Sequence, residues 1–310
     1  MILSPTNLTR DPAVITFGGE KFTSVGDIVV SPVIERFAIN SSIYGMIDNT
    51  RMVNRKFTIT FTPVGQFEAL DVLFDALSKT VGESLIGATS TPLVINTQGG
   101  KKWTFINAAV TKMPTINLGT KRTLFGPVEI TAILGIGLTS AAQASYYTVG
   151  DESFPADAGF DPTLIYTQAY AAEFAASGTL AAMYAREGWT ITPTVKVLEE
   201  VVDGVGTIDL KVADATVMAR GMPAGPAASE LWALMHLGTE LGASRHASAR
   251  ALNFSATGVY IRLENALLQD GPVNFGQGNQ VGEFTWEATR QFSGGVMTDL
   301  LTIGSANPDL

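Results

Sequence analysis

Few residues in this chain could do chemistry, and none stands at a catalytic spacing. There are two histidines, His236 and His246, and no cysteine. Without cysteine there can be no disulfide, no thiolate zinc site and no cysteine nucleophile. His236 falls in a stretch with helical apolar spacing and reads as a solvated helix residue rather than a general base. His246 lies in Ala243-Ser244-Arg245-His246-Ala247-Ser248, with no carboxylate beside it. A Ser/His/Asp triad needs no adjacency in sequence, yet no Gly-x-Ser-x-Gly elbow supports one. Gly276-Gln277-Gly278-Asn279-Gln280-Val281-Gly282 carries glycines like a phosphate loop. Its spacing fits neither the dinucleotide nor the Walker pattern, and no lysine follows. It joins two strand-like runs, offers no helix N-terminus to a phosphate, and reads as a hairpin loop. Glu199, Glu200 and Asp203 present hard oxygen ligands, but not in the alternating register of a calcium loop, so they read as a solvated hairpin end. Trp103, Trp189, Trp232 and Trp286 are expected in the core rather than on a stacking platform. The sequons at Asn7, Asn40 and Asn253 carry no weight in a chain read as unsecreted. No enzyme activity, cofactor or metal site is expected.

The composition points the same way. Of 310 residues, 46% are hydrophobic and only 16% charged, which is low beside the roughly 25% of a typical soluble domain. A surface so poor in charge suits a protein that buries much of itself against copies of itself. The net charge of −9 argues against gripping nucleic acid, which needs a Lys/Arg footprint on the phosphates. It is compatible with a surface that DNA passes without sticking. The start, Met1-Ile2-Leu3-Ser4-Pro5, does not read as a signal peptide, and no apolar run reaches the ~18 residues of a membrane helix. The expectation is a soluble protein made in the cytoplasm, with no membrane partner.

The elements that must carry any function repeat. At offsets near 158, Asn107-Ala108 matches Asn265-Ala266, Pro114 matches Pro272, Glu129 matches Glu287 and Thr131 matches Thr289. Earlier, Asp11-Pro12 resembles Asp161-Pro162, Gly26 aligns with Gly188, Gly45-Met46-Ile47-Asp48 with Gly206-Thr207-Ile208-Asp209, and Pro63 with Pro223. Residues 52–61 alternate apolar and polar, as do 189–197 and 207–212, the mark of strands. Further strands are expected near 28–39, 92–96, 102–111, 127–134, 252–256, 259–268, 283–291 and 296–303. Each copy carries one amphipathic helix: Phe67, Leu70, Leu73, Phe74 and Leu77 in the first, Leu231, Leu234, Met235 and Gly238 in the second. The predicted organisation is an arm over 1–10, a β domain over 11–134, a linker over 135–160, a second domain over 161–303 with an Ala-rich insertion at about 171–187, and a tail over 304–310. The fold class is mainly β with some α: two tandem sandwich or barrel domains, each flanked by a helix.

This order of elements resembles the major tail tube proteins of long, non-contractile-tailed bacteriophages. The resemblance rests on Gly26-Asp27-Ile28-Val29-Val30-Ser31-Pro32-Val33-Ile34-Glu35, the polar hairpin from Ile39 to Asn54, Phe57-Thr58-Ile59-Thr60-Phe61-Thr62-Pro63, and Gln66 to Phe74. It is one of pattern and order over most of each copy, without a short diagnostic motif. It implies small β-sandwich domains whose sheets join into rings, usually of six domains, that stack into a tube for genome ejection. A chain with two such domains implies a homotrimeric, pseudo-hexameric ring in the virion tail. The implied partners are tape-measure, tail-tip and tail-terminator proteins, with double-stranded DNA passing unbound. Other phage ring proteins (tail terminator or baseplate) and tandem carbohydrate-binding or adhesin-like β proteins remain alternatives. The long hairpins near 35–54 and 197–214, with the amino-terminal arm, are expected to make ring-to-ring contacts. The residues singled out are Asn40, Ser41, Ser42, Tyr44, Asp48, Asn49, Arg51, Glu199, Glu200, Asp203 and Asp209.

Overall fold

The computed structural model describes residues 13–65, 68–86, 92–119, 124–134, 147–154, 170–174, 178–203, 205–223, 227–235, 249–256, 259–272, 282–290, 292–293 and 296–304. The fold is mainly β. Its strands in the first half are β1 (Ala13–Phe17), β2 (Glu20–Ser24), β3 (Val29–Ser41), β4 (Gly45–Phe61), β5 (Pro63–Val64), β6 (Leu93–Thr97), β7 (Lys101–Phe105), β8 (Asn107–Lys112), β9 (Ile116–Leu118), β10 (Val128–Ile133) and β11 (Tyr147–Asp151). The second half has β12 (Ala171–Glu173), β13 (Ala185–Val202), β14 (Gly206–Pro223), β15 (Arg250–Ala256), β16 (Val259–Asp270), β17 (Phe284–Ala288), β18 (Phe292–Ser293), β19 (Val296–Met297) and β20 (Leu301–Gly304). A 3₁₀ helix covers Glu68–Leu77 and a short α-helix, α1, covers Ala227–Ala233.

The chain forms two compact units. Unit one comprises Met1–Met113, Pro127–Phe160 and Val195–Asp214; unit two comprises Pro114–Gly126, Asp161–Thr194 and Ala215–Leu310. In unit one a sheet of order β11-β7-β6-β1-β2-β5 accompanies a second of order β3-β4-β10-β8. The β1–β2 turn is Gly18-Gly19, both at positive φ (59° and 89°), as a two-residue hairpin loop requires. Phe57 of one sheet meets Phe105 of the other at 5.1 Å between ring centroids, edge to face, with Tyr147 at 5.0 Å from Phe57. Leu70, Leu73, Phe74 and Leu77 of the 3₁₀ helix are buried, while Asp71 and Asp75 face water. The expected amphipathic helix is therefore present, wound more tightly than α; its apolar residues three apart (Leu70, Leu73, Ala76) align along a 3₁₀ face. Phe67 and Gly238 lie outside the described residues.

In unit two, one large sheet runs β12-β15-β16-β17-β14-β13-β9, with β20 also on β16. Its centre is aromatic: Trp189 packs edge to face on Phe254 (5.6 Å) and Trp286 (5.7 Å). Gly221 makes room for it, since a Cβ there would lie 2.2 Å from Trp189 Cε3. Trp189 and Trp286 are core residues, as expected. Trp103 and Trp232 are half-exposed instead, and Trp232 Nε1 donates to Gly271 O at 2.7 Å.

The two copies share topology as well as sequence. The order β3-β4-β10-β8 recurs as β13-β14-β17-β16. Glu129 faces Thr60 and Glu287 faces Met218, each residue of the second pair 158 positions after its counterpart. The Ala13–Thr97 pair recurs as Ala171–Ser255 at the same 158. Even a register slip repeats, passing over Thr111 in β8 and Gln269 in β16. These registers change three sequence expectations. β1 corresponds to β12, so residues 171–173 are a repeated strand and not part of an insertion, and the Asp161-Pro162 match is coincidental. β11, inside the predicted linker, pairs with β7 as β20 pairs with β16, so the first copy extends to Asp151. The copies also do not coincide with the units: residues 195–214 belong to unit one and 114–126 to unit two.

Candidate assembly interface

Two long hairpins stand out: β3–β4 in the first copy and β13–β14 in the second. Both turn at a glycine of positive φ, Gly45 (70°) and Gly206 (104°), 161 positions apart. Their environments differ sharply.

The far end of β13–β14 is built into unit one. Gly82 N donates to Val212 O (2.7 Å), Leu85 N to Leu210 O (2.7 Å) and Val212 N to Glu83 O (3.0 Å), so residues 82–85 extend the sheet along β14. Leu210 packs with Ala109 and Ile133, flanked by Leu85, Ile86 and Val197. A polar lock accompanies this apolar contact. Asn54 Oδ1 accepts from Thr207 N (2.9 Å), and Asn54 Nδ2 donates to Thr207 Oγ1 (3.0 Å), with Thr207 fully buried. Lys56 pairs with Glu199 and Lys211 with Glu200, each at 2.5 Å. The hydrogen bond that Lys211 donates to Glu200, with the charge of that carboxylate, raises the pKa of the Lys211 ammonium above its ordinary value. In the adjoining turn, the Thr80 backbone N–H donates to Glu83 Oε2 (3.0 Å), and with Lys79 nearby holds that carboxyl below its ordinary 4.5.

The β3–β4 hairpin has no such seat among the described residues. Large apolar side chains stand in water along it, among them Tyr44 (82% exposed), Ile43 (79%), Met46 (61%) and Phe37 (53%). β3 is the outer strand of its sheet, with Val29 51% exposed. Its counterpart β13 is covered on that side by β9, through Trp189–Leu118, Thr190–Asn117 and Ile191–Ile116.

The residues singled out from sequence divide accordingly. Asn40, Ser42 and Tyr44 are exposed near the first hairpin's tip, and Ser41 Oγ accepts from Ile43 N (3.2 Å) and Tyr44 N (3.3 Å). The side chains of Asp48, Asn49 and Arg51 lie outside the described set, although their backbone belongs to β4. Glu199, Glu200 and Asp203 are exposed on the second hairpin, the first two neutralised by lysines. Asp209 is a correction: it is 2% exposed, and its Oδ1 accepts from Ser84 Oγ (2.5 Å) and Leu210 N (2.8 Å). It fastens the hairpin internally and presents nothing to another molecule. Sequence reasoning missed Asn54, Ser84 and Thr207; the one available signal was the paired Gly45 and Gly206 turns.

Among the described residues no group of His, Asp and Glu could hold a metal ion, and no helix is long and apolar enough to cross a membrane. His236, His246 and residues 276–281 lie outside the described residues. A small cavity of about 70 Å³ in unit one is lined mainly by Phe17, Val72, Leu85, Ala108 and Val110, with Asp75 its one charged lining residue. Comparison with protein-family profiles finds no match, and comparison with curated proteins finds none either.

Proposed function

We propose that this chain is a ring-forming structural subunit of a phage-type tail tube. Three chains, each contributing two equivalent domains, close a pseudo-hexameric ring, and rings stack into a conduit through which double-stranded DNA leaves the virion. The observation that carries the reading is an asymmetry between equal parts. Two topologically matched copies differ in that the edge of β13 is covered by β9 and the Leu210 face of its hairpin is buried, while among the described residues no strand covers β3 and its hairpin tip holds Ile43, Tyr44 and Met46 in water. Exposed strand edges and apolar patches of this kind are normally completed by another chain. Head-to-tail joints between like parts close into rings when the rotation permits. The charge content of 16% and net charge of −9 suit a wall that is buried between subunits and does not hold DNA. Tape-measure, tail-tip and tail-terminator proteins are the partners of such a tube.

Negative-stain imaging with mass measurement in solution tests this. Rings of trimer mass with a six-lobed outline, alone or stacked, are expected. A chain that stays monomeric at all concentrations, with or without tube ends added as nuclei, refutes it.

A further inference from the structure

We propose that the β3–β4 hairpin is the arm by which this chain grips a second copy of itself. It does so through side chains, because Pro32 and three bulges in β4 close its backbone edge to strand addition. The proposal rests on the ring-forming reading and names the surface that joins one chain to the next.

The hairpin projects past its own sheet. β10 pairs with β4 at Phe57–Phe61, so from Ile34 and Arg55 to the turn no further strand lies beside β3 and β4 among the described residues. A lone two-stranded ribbon is marginal in water. Eight large apolar side chains between Ile34 and Val53 are nevertheless 39–82% exposed. Taking roughly 150–250 Å² for a fully exposed large side chain, these fractions leave about 900 Å² of apolar surface in water. One partner of a stable complex contributes about 800 Å², whereas the largest patch of an ordinary monomer is ~300–600 Å². The ribbon is thus of a size to hold two chains together. A matching turn shows what it rests on. Gly45 and Gly206 hold equivalent positions, so Tyr44 and Met46 correspond to Val205 and Thr207. Thr207 is fully buried on Asn54 and Val205 is half-buried, whereas Met46 and Tyr44 are 61% and 82% exposed. The seat of the second turn is a domain of this chain's own kind, which makes a second copy the fitting partner for the first.

The two hairpins nevertheless differ in shape, and the difference decides how the first one binds. Gly45 precedes Thr60 by 15 positions, but Gly206 precedes the matching Met218 by only 12. The surplus lies in three bulges of β4. Its register against β3 passes over Val53, then over one residue more than β3 does between Phe37 and Ile39, then over Ile47. Each bulge leaves a residue out of the ladder and sharpens the local twist. Nearer the sheet, β3 pairs regularly from Val29 to Glu35, with Pro32 at the middle of that stretch. Proline is accommodated in an edge strand with its missing N–H on the outward side. The outward row of β3 therefore lacks a donor at its centre. Edge prolines and bulges are the means by which proteins keep a bare strand from recruiting another. The neighbour accordingly covers the β3–β4 ribbon with side chains and does not extend it by a ladder.

Sedimentation velocity of the full chain over a range of concentrations tests the arm. The Tyr44→Glu/Met46→Glu double variant should raise the dissociation constant of the assembly by about 100-fold or more, with the melting temperature of the single chain unchanged. Val81→Glu, at a position 71% exposed and away from the hairpin, should assemble as the wild type does. A wild type that assembles and a double variant that assembles equally well overturn the arm while leaving the ring reading intact. A wild type that stays single at every concentration overturns both. For the edge, Pro32→Val restores the missing donor and should let open-ended, thioflavin-binding aggregates form. Assemblies of unchanged size from Pro32→Val overturn the guarding role of that proline.

Discussion

Replacing Asn54 with alanine should loosen the second-copy hairpin from unit one while sparing unit two. Asn54 Oδ1 accepts from Thr207 N (2.9 Å) and Thr207 Oγ1 (3.2 Å), and its Nδ2 donates to Thr207 Oγ1 (3.0 Å). Both side chains are buried, at 5% and 0% exposure, so water cannot replace the lost partner without entering the seam. Alanine leaves the Thr207 N–H without the amide oxygen it donates to and strips the hydroxyl of its main partner. An orphaned buried group costs about 1–3 kcal/mol, and the Thr207 hydroxyl, which keeps a long bond to Glu199, less, so the seam should weaken by roughly 2–4 kcal/mol. Thr207→Val removes one of those orphans beforehand, so the double variant should lose less than the sum of the singles, by about 1 kcal/mol. Native-state hydrogen exchange followed by mass spectrometry reads this directly. At 1.4 kcal/mol per tenfold, amides at 205–214 should exchange on the order of 30- to 1,000-fold faster, with those of β15 and β17 unchanged. Unchanged protection at 205–214, or strictly additive variants, would mean that the apolar contact alone holds the hairpin and the polar lock is incidental.

Two further outcomes test how unit two is built. Gly188 has φ +82° and stands against β9, where a Cβ would lie 2.5 Å from Leu118 O; Gly188→Ala should break the β9–β13 pairing at a cost of about 2 kcal/mol or more, seen as lost exchange protection at 116–118. A variant with native protection there would refute the close approach. Burial pushes the Tyr170 phenol from 10.0 up to about 12. Because the folded value is the higher, the stability tied to the neutral phenol is fully present below pH 10 and lost as pH rises from 10 through 12. Tyr170→Phe should therefore gain on the wild type across that window by up to roughly 3 kcal/mol in thermal or urea melts. A stability difference independent of pH would show that the phenol is not buried in the folded state.

Much of the architecture was readable because its physics is local. Strict alternation at 52–61 and 207–212 marks strands whose two faces meet different surroundings, and both lie inside longer observed strands. β11 reads as linker in the sequence because all five of its residues are exposed, so no alternation exists to be seen. β9 is three residues long and close to a proline; its ladder partner begins some 70 positions away, and its local pairing is a single bridge from Ile116 to Phe125, so little in the nearby sequence marks it as a strand. The Ala171 strand reads as an insertion for a related reason: alanines carry little pattern, and only the register against β15 reveals it. The polar lock was invisible for another reason. Asn54 and Thr207 fall on the polar faces of their strands, and alternation assigns such positions to water unless a distant hairpin covers them.

On the proposed assembly, the unequal exposure of two equivalent hairpins follows from which joint must hold chains together. Joining two copies within one chain needs no bimolecular association, so it escapes the several kcal/mol of translational and rotational freedom lost when separate proteins meet. A modest apolar contact around Leu210 with a polar lock at Asn54 and Thr207 is enough there. A joint between chains must overcome that loss with additional buried surface, at about 1.5–3 kcal/mol for each large apolar side chain removed from water. On the proposed assembly, excess apolar surface should therefore collect on the first hairpin. Ile43, Tyr44 and Met46 crowd its tip at 61–82% exposure, whereas Leu198, Val201 and Val202 on the second hairpin reach only 40–57%, interleaved with Glu199, Glu200 and Asp203. An ancestor with one domain per chain would have had six identical joints, each needing the full apolar surface. On the proposed assembly duplication relieves every second joint of that need, and the polar lock at Asn54 and Thr207 would be the trace that fusion leaves.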